Sequence, residues 1–184
     1  AGNVVNPEGN LNDKRVWLFN AVEKIFKKVK MKNGLQTKKF HLFGHSAGGG
    51  FVHRYMLLMP DAPVVKAVAA NPAFVTLPNI KEPYPFGLKG LSIKKATINE
   101  WLGKDLAIFL GEDDTGPRTK PLSNGPRARA QGPNCLSRGK KLYREAKKEA
   151  IKRNTGFGWS LNVIPGVGHD NKLIAPHARE FLFN

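Results

Sequence analysis

Phe40-His41-Leu42-Phe43-Gly44-His45-Ser46-Ala47-Gly48-Gly49-Gly50-Phe51-Val52 is the stretch on which the fold turns. Its first four residues are a short, mostly apolar run that reaches a glycine, as a buried strand does. Gly44 to Gly48 then form a G-x-S-x-G pentapeptide, and a helix-compatible run follows as far as Met59, ended by Pro60. A strand that turns sharply into a helix at a serine holds the hydroxyl above the sheet in a strained backbone conformation. Small residues on either side give the neighbouring backbone room. A phosphate-binding loop is the competing reading of residues 48–50. It needs Lys-Ser or Lys-Thr after the last glycine, and Phe51-Val52 stand there instead.

Strand-like and helix-like patterns alternate on both sides of this stretch. Residues 1–12 are rich in Asn and Gly and read as loop. Asn12 or Asp13 can cap a helix to about Lys30, with Val16, Trp17, Ala21, Val22, Ile25, Phe26 and Val29 on one face and lysines on the other. Further strands are expected at 64–70, 106–110 and 159–164. Residues 71–100 hold Pro78, Pro83, Pro85, Gly87 and Gly90 and read mostly as loop, and 115–134 is a long polar stretch. Helices are expected at 136–153 and 171–182. The alternation predicts an α/β fold, a parallel sheet of about four strands flanked by helices, in one domain spanning 1–184. Sites in such sheets form in loops at the carboxyl ends of strands.

A serine hydroxyl is a weak nucleophile until a base takes its proton. Five histidines are available. His41 lies within a strand, His45 inside the pentapeptide, His53 in the following helix and His177 in the last helix, where structural roles are expected. His169, in Gly166-Val167-Gly168-His169-Asp170, follows the last strand and is the candidate base. The third strand runs into Gly111-Glu112-Asp113-Asp114. Of these carboxylates Asp114 is preferred as the group that orients the histidine, Asp113 is second and Glu112 is disfavoured. Ser46, Asp114 and His169 then stand in the order Ser…Asp…His. The oxyanion formed on attack needs backbone N–H donors; the amide of Ala47 is one, and residues 1–40 offer no second.

Composition adds a charge and several exclusions. Thirty Lys and Arg against 14 Asp and Glu give a formal net charge of +16. Such a field attracts nucleic acid, acidic lipid or acidic protein, although the basic residues are scattered and no nucleic-acid-binding motif organises them. A solvated basic surface is the preferred account of them. No apolar run is long enough to span a membrane. The single cysteine, Cys135, excludes an intramolecular disulfide and gives no cysteine-based metal pattern. The chain begins Ala1-Gly2-Asn3, without Met or a signal segment, so it reads as processed, internally started or incomplete.

With Phe51-Val52-His53-Arg54 behind the pentapeptide, and with Leu110 to Thr115, Gln131-Gly132-Pro133-Asn134, Pro165 to Asp170 and the Tyr84-Pro85-Phe86-Gly87-Leu88 loop, the chain resembles bacterial-type α/β-hydrolases related to polyhydroxybutyrate depolymerases and feruloyl esterases. The resemblance covers nearly the whole chain. It implies nucleophile Ser46, base His169 and acid Asp114, acting on small or polymeric carboxylic esters through an acyl-enzyme without metal or organic cofactor. Family members carry further strands and a helix ahead of the segment that starts here, so the resemblance makes this the C-terminal part of such a domain. The strand near 40–43 is then expected at a sheet edge covered by another chain, or paired with a segment outside this sequence. The alternative reading is a non-catalytic subunit on the same scaffold, docked on an anionic partner through its basic surface.

Overall fold

A computed structural model describes residues 2–116 and 122–184. Its centre is a four-stranded, all-parallel sheet in the order β1 (Phe40–His45), β2 (Val64–Ala70), β3 (Leu106–Gly111) and β4 (Ser160–Ile164). Among the described residues six α-helices accompany it: α1 (Asn20–Lys32), α2 (Ala47–Leu58), α3 (Lys95–Gly103), α4 (Pro126–Arg129), α5 (Cys135–Lys152) and α6 (Asn171–Phe183).

The period of two along the strands divides the core between the faces of the sheet. Ala67, Ala69, Leu106, Ile108 and Leu110 pack with Tyr55 and Leu57 of α2, Trp101 and Leu102 of α3, and Leu142 and Ala146 of α5. Val68, Ala70, Ala107 and Phe109 point the other way, onto Ile174, Ala178 and Leu182 of α6. Every residue of β3 is buried. β1 pairs only with β2 among the described strands, so it is a sheet edge, and five of its six residues are only half-buried.

Local chemistry fixes the helix ends that matter for the site. α5 starts with a capping box: the Asn134 side chain accepts from the Ser137 amide at 2.8 Å, and the Ser137 hydroxyl faces the Asn134 amide at 3.3 Å. Asp170 caps α6 by accepting from Lys172 N–H at 2.7 Å.

The first helix departs from expectation. Asp13 caps only a 3-10 turn, Lys14–Val16, and α1 begins at Asn20. Trp17 and Phe19 are both buried although two residues apart, which a continuous helix cannot arrange on one face. Trp17 is extended, and the Phe19 ring packs on Phe51 with centroids 4.6 Å apart. The expected apolar face is divided. Val22 packs against the core and Phe26 lies 4.8 Å from the Phe40 ring, while Val16, Ile25 and Val29 are exposed. Two short helices also stand where loop was expected: α3, which starts inside 71–100 and runs on to Gly103, and α4 inside 115–134.

Candidate active site

The carboxyl ends of the four parallel strands share one rim, and each predicted site residue lies on it. Ser46 follows β1 with φ 58° and ψ −115°, a backbone conformation that L-residues other than glycine rarely adopt. Its amide donates to Ala70 O at 2.9 Å, which ties the turn to β2. A Cβ at Gly44 would collide with the Gly48 carbonyl, and one at Gly49 with the Ala70 carbonyl. Gly48 has open space instead, so the close approaches lie at the first glycine of the pentapeptide and the one just beyond its end. Ser46 is half-buried and Ala47 exposed. The amide of Ala47 belongs to the first turn of α2, whose N–H groups have no partner within the helix.

Asp114 and His169 come together after β3 and β4. Asp114 is 3% exposed, and its Oδ2 lies 2.6 Å from His169 Nδ1. Asp113 and Glu112 are exposed to solvent. Backbone bonds brace the two loops: the amides of Glu112 and Asp113 donate to Ile164 O and Val167 O at 3.0 and 2.9 Å. Any side chain at Gly111 would strike the Val167 and Gly168 carbonyls, so this glycine lets the histidine loop lie against the acid loop. The His169 ring stands 4.5 Å from that of His45, the neighbour of Ser46.

Residues that local sequence did not mark complete the rim. Asn71 is fully buried at φ 41°. Its Oδ1 accepts from Gly111 N–H at 2.8 Å, and its Nδ2 donates to Gly168 O at 3.3 Å and lies 3.3 Å from His45 Nε2. One side chain thus touches the ends of β1 and β3 and the loop that carries His169. Cys135 is buried at the start of α5, where ligand-type atoms of Asp114, Cys135 and His169 lie within 4.8 Å of one another. The short Asp114–His169 hydrogen bond already occupies two of these groups. The residues after β2 are pinned from α4–α5. Gln131 exchanges two bonds with the Val75 backbone, and the buried Arg138 donates to Gly132 O, Ala73 O and Ser123 O.

His53 and Arg54 lie on α2, the helix that follows Ser46. Burial, with the Arg54 charge second, pushes His53 down to about 3. The neutral ring donates from Nδ1 to Gly49 O and accepts at Nε2 from Thr76 N–H, both at 3.0 Å. Burial lowers Arg54 to about 10; it donates to Thr76 Oγ1 at 2.9 Å and stacks 4.3 Å from the Phe74 ring centroid. These are structural roles, as expected for His53.

The sequence matches no protein-family model and no curated protein sequence. Solved structures do match it. The chain belongs to the α/β-hydrolase family. It is similar to poly(aspartic acid) hydrolase-1 from Sphingomonas sp. KT-1, with 36% identity and a TM-score of 0.94 over 100% of this chain and 69% of that one. It is also similar to LpqC, the poly(3-hydroxybutyrate) depolymerase of Bordetella parapertussis, at 32% identity and a TM-score of 0.91. That match covers 99% of this chain and 61% of the depolymerase. Among the described residues, no helix is long and apolar enough to cross a membrane.

Proposed function

We propose that the chain carries the catalytic groups of a serine hydrolase that cleaves carboxylic esters through an acyl-enzyme. The observation that carries this reading is the 2.6 Å bond between buried Asp114 and His169, on the rim where Ser46 holds its left-handed turn. In the proposed cycle Ser46 Oγ attacks the acyl carbon while His169 Nε2 takes its proton. Asp114 holds the proton on Nδ1 and stabilises the imidazolium. The Ala47 amide donates to the oxyanion. His169 returns the proton to the leaving alcohol, then activates the water that releases the acid. No step calls for a metal ion or organic cofactor.

Both similar proteins named above are hydrolases of polymers, which supports a polymeric substrate over a small one. The half-buried edge strand β1 favours a covering segment or chain along it. The alternative of a non-catalytic subunit draws support only from the net charge of +16. A serine-reactive fluorophosphonate tests the proposal: it should label the full-length native protein, and Ser46→Ala should abolish labelling. Labelling that persists in Ser46→Ala removes Ser46 from the mechanism.

A further inference from the structure

A groove lies beside α5, away from Ser46, Asp114 and His169, none of which lines it. It measures about 950 Å³ and runs between α5, α3 and the loop at residues 77–81. Lys81, Lys95, Lys141, Arg144, Lys148 and Lys152 point into it. Two glutamates also line it, but both are engaged: Glu149 pairs with Arg153 at 2.7 Å, and Glu145 is shared by Arg144 and Lys148 at 3.2 and 3.7 Å. Lys81, Lys95, Lys141 and Lys152 have no acidic partner among the described residues.

On α5 the cations at 141, 144, 148 and 152 recur at helical spacing and form a ridge about 16 Å long at 1.5 Å per residue. Like charges at this spacing destabilise a helix by a few tenths of a kcal/mol per pair. A convex lysine face spreads such charge into water, whereas a concave one focuses its field and raises the local concentration of anions. The position relates the groove to the rim. Cys135, at the head of α5, neighbours Asp114 and His169. Lys141 lies six residues on, about 9 Å along the axis. Across the groove, the loop at 77–81 continues the chain from Asn71.

We infer that this groove binds the flank of a polycarboxylate chain, a polymer of acidic units whose scissile acyl group reaches the rim; the second half of that statement rests on the proposed hydrolase reading. Nucleic acid is the other common polyanion, and its single strands are held by aromatic platforms under the bases. Among the described residues no aromatic side chain lines the groove, whose apolar part comprises Leu77, Pro78 and Ile80. Ile80 is 65% exposed and offers an aliphatic contact to a polymer backbone.

The test uses the full-length Ser46→Ala protein, so that binding is read without turnover and a failure of the hydrolytic reading shows in a different measurement. The probe is a fluorescein-labelled oligo-L-aspartate, followed by anisotropy across a salt series. The variant Lys81→Ala/Lys95→Ala/Lys152→Ala removes three cations from the groove, and Lys24→Ala/Lys27→Ala/Lys28→Ala removes three from α1. A flexible polyanion loses roughly 0.7 of a unit of log–log salt slope per contact, so the groove variant should lose about 2 units and bind about 100-fold more weakly near 0.1 M salt. The α1 variant should keep the parent affinity, with circular dichroism confirming that both are folded. Equal weakening in both variants overturns the inference in favour of diffuse attraction. Binding of an oligothymidylate of the same charge as tightly as the oligo-aspartate overturns the choice of partner.

Discussion

Replacing Asn71 by alanine perturbs three loops at once. The Gly111 amide, buried and 2.8 Å from Asn71 Oδ1, would lose its acceptor. An orphaned buried donor costs about 1–3 kcal/mol. The bond to half-buried Gly168 O is longer, at 3.3 Å, and water can replace part of it. Alanine would also have to hold φ 41°, which asparagine tolerates and alanine does not, at roughly 1–2 kcal/mol. The sum is about 2–5 kcal/mol, and a chain of this size loses about 2–4 °C of Tm per kcal/mol. Asn71→Ala should therefore melt roughly 10 °C lower by calorimetry. Asn71→Gly keeps the backbone free and should recover the strain portion only. Loosening the His169 loop should also lower turnover of a short chromogenic ester by about 10- to 100-fold, as displacement of a catalytic group by about 1 Å does. An Asn71→Ala protein that melts within about 2 °C of the parent would refute the reasoning.

Asp114→Asn should cut ester hydrolysis by about 10⁴-fold, because the amide favours the wrong histidine tautomer, while exposed Asp113→Asn stays near parent activity; equal losses would show that the wrong aspartate was chosen. His53 links stability to pH: it ionises near 6.5 when unfolded but only near 3 in the fold, so the unfolded chain binds the extra proton between those values. Its contribution is complete above pH 6.5 and fades as the pH falls towards 3, at up to about 1.4 kcal/mol per pH unit, so the pH slopes of stability of parent and His53→Gln should differ only in that window. Backbone amides of residues 40–43 should resist hydrogen exchange in the full-length native protein if the β1 edge is covered; exchange at the rate of an open strand end would remove the covering segment.

The sheet was legible because its strands are apolar runs that stop at glycines or polar turns, and that pattern alone orders Ser46, Asp114 and His169 along one rim. The choice of Asp114 over Asp113 followed from spacing, and burial of the first with exposure of the second accords with it. The first helix was misread because its apolar residues fit a helical period, while the burial of Phe19 depends on Phe51 and Tyr55, more than thirty residues away. Asn71 was invisible for the same reason. Nothing within a few residues of it announces bonds to Gly111 and Gly168, forty and 97 positions on. Asn71-Pro72 directly after a strand was the one local cue, and by itself it marks only a turn.

The strands that carry the rim differ in depth. Asp114 follows β3, which is sealed on every residue and paired on both sides. Ser46 follows β1 and His169 follows β4, the two outer strands, which are half-buried along most of their length. Segments with less buried contact open at lower free energy than the core. Warming should therefore loosen Ser46 and His169 on the outer strands before Asp114 on β3, and residual activity should fall at temperatures where the near-ultraviolet signal of buried Trp101 is still intact.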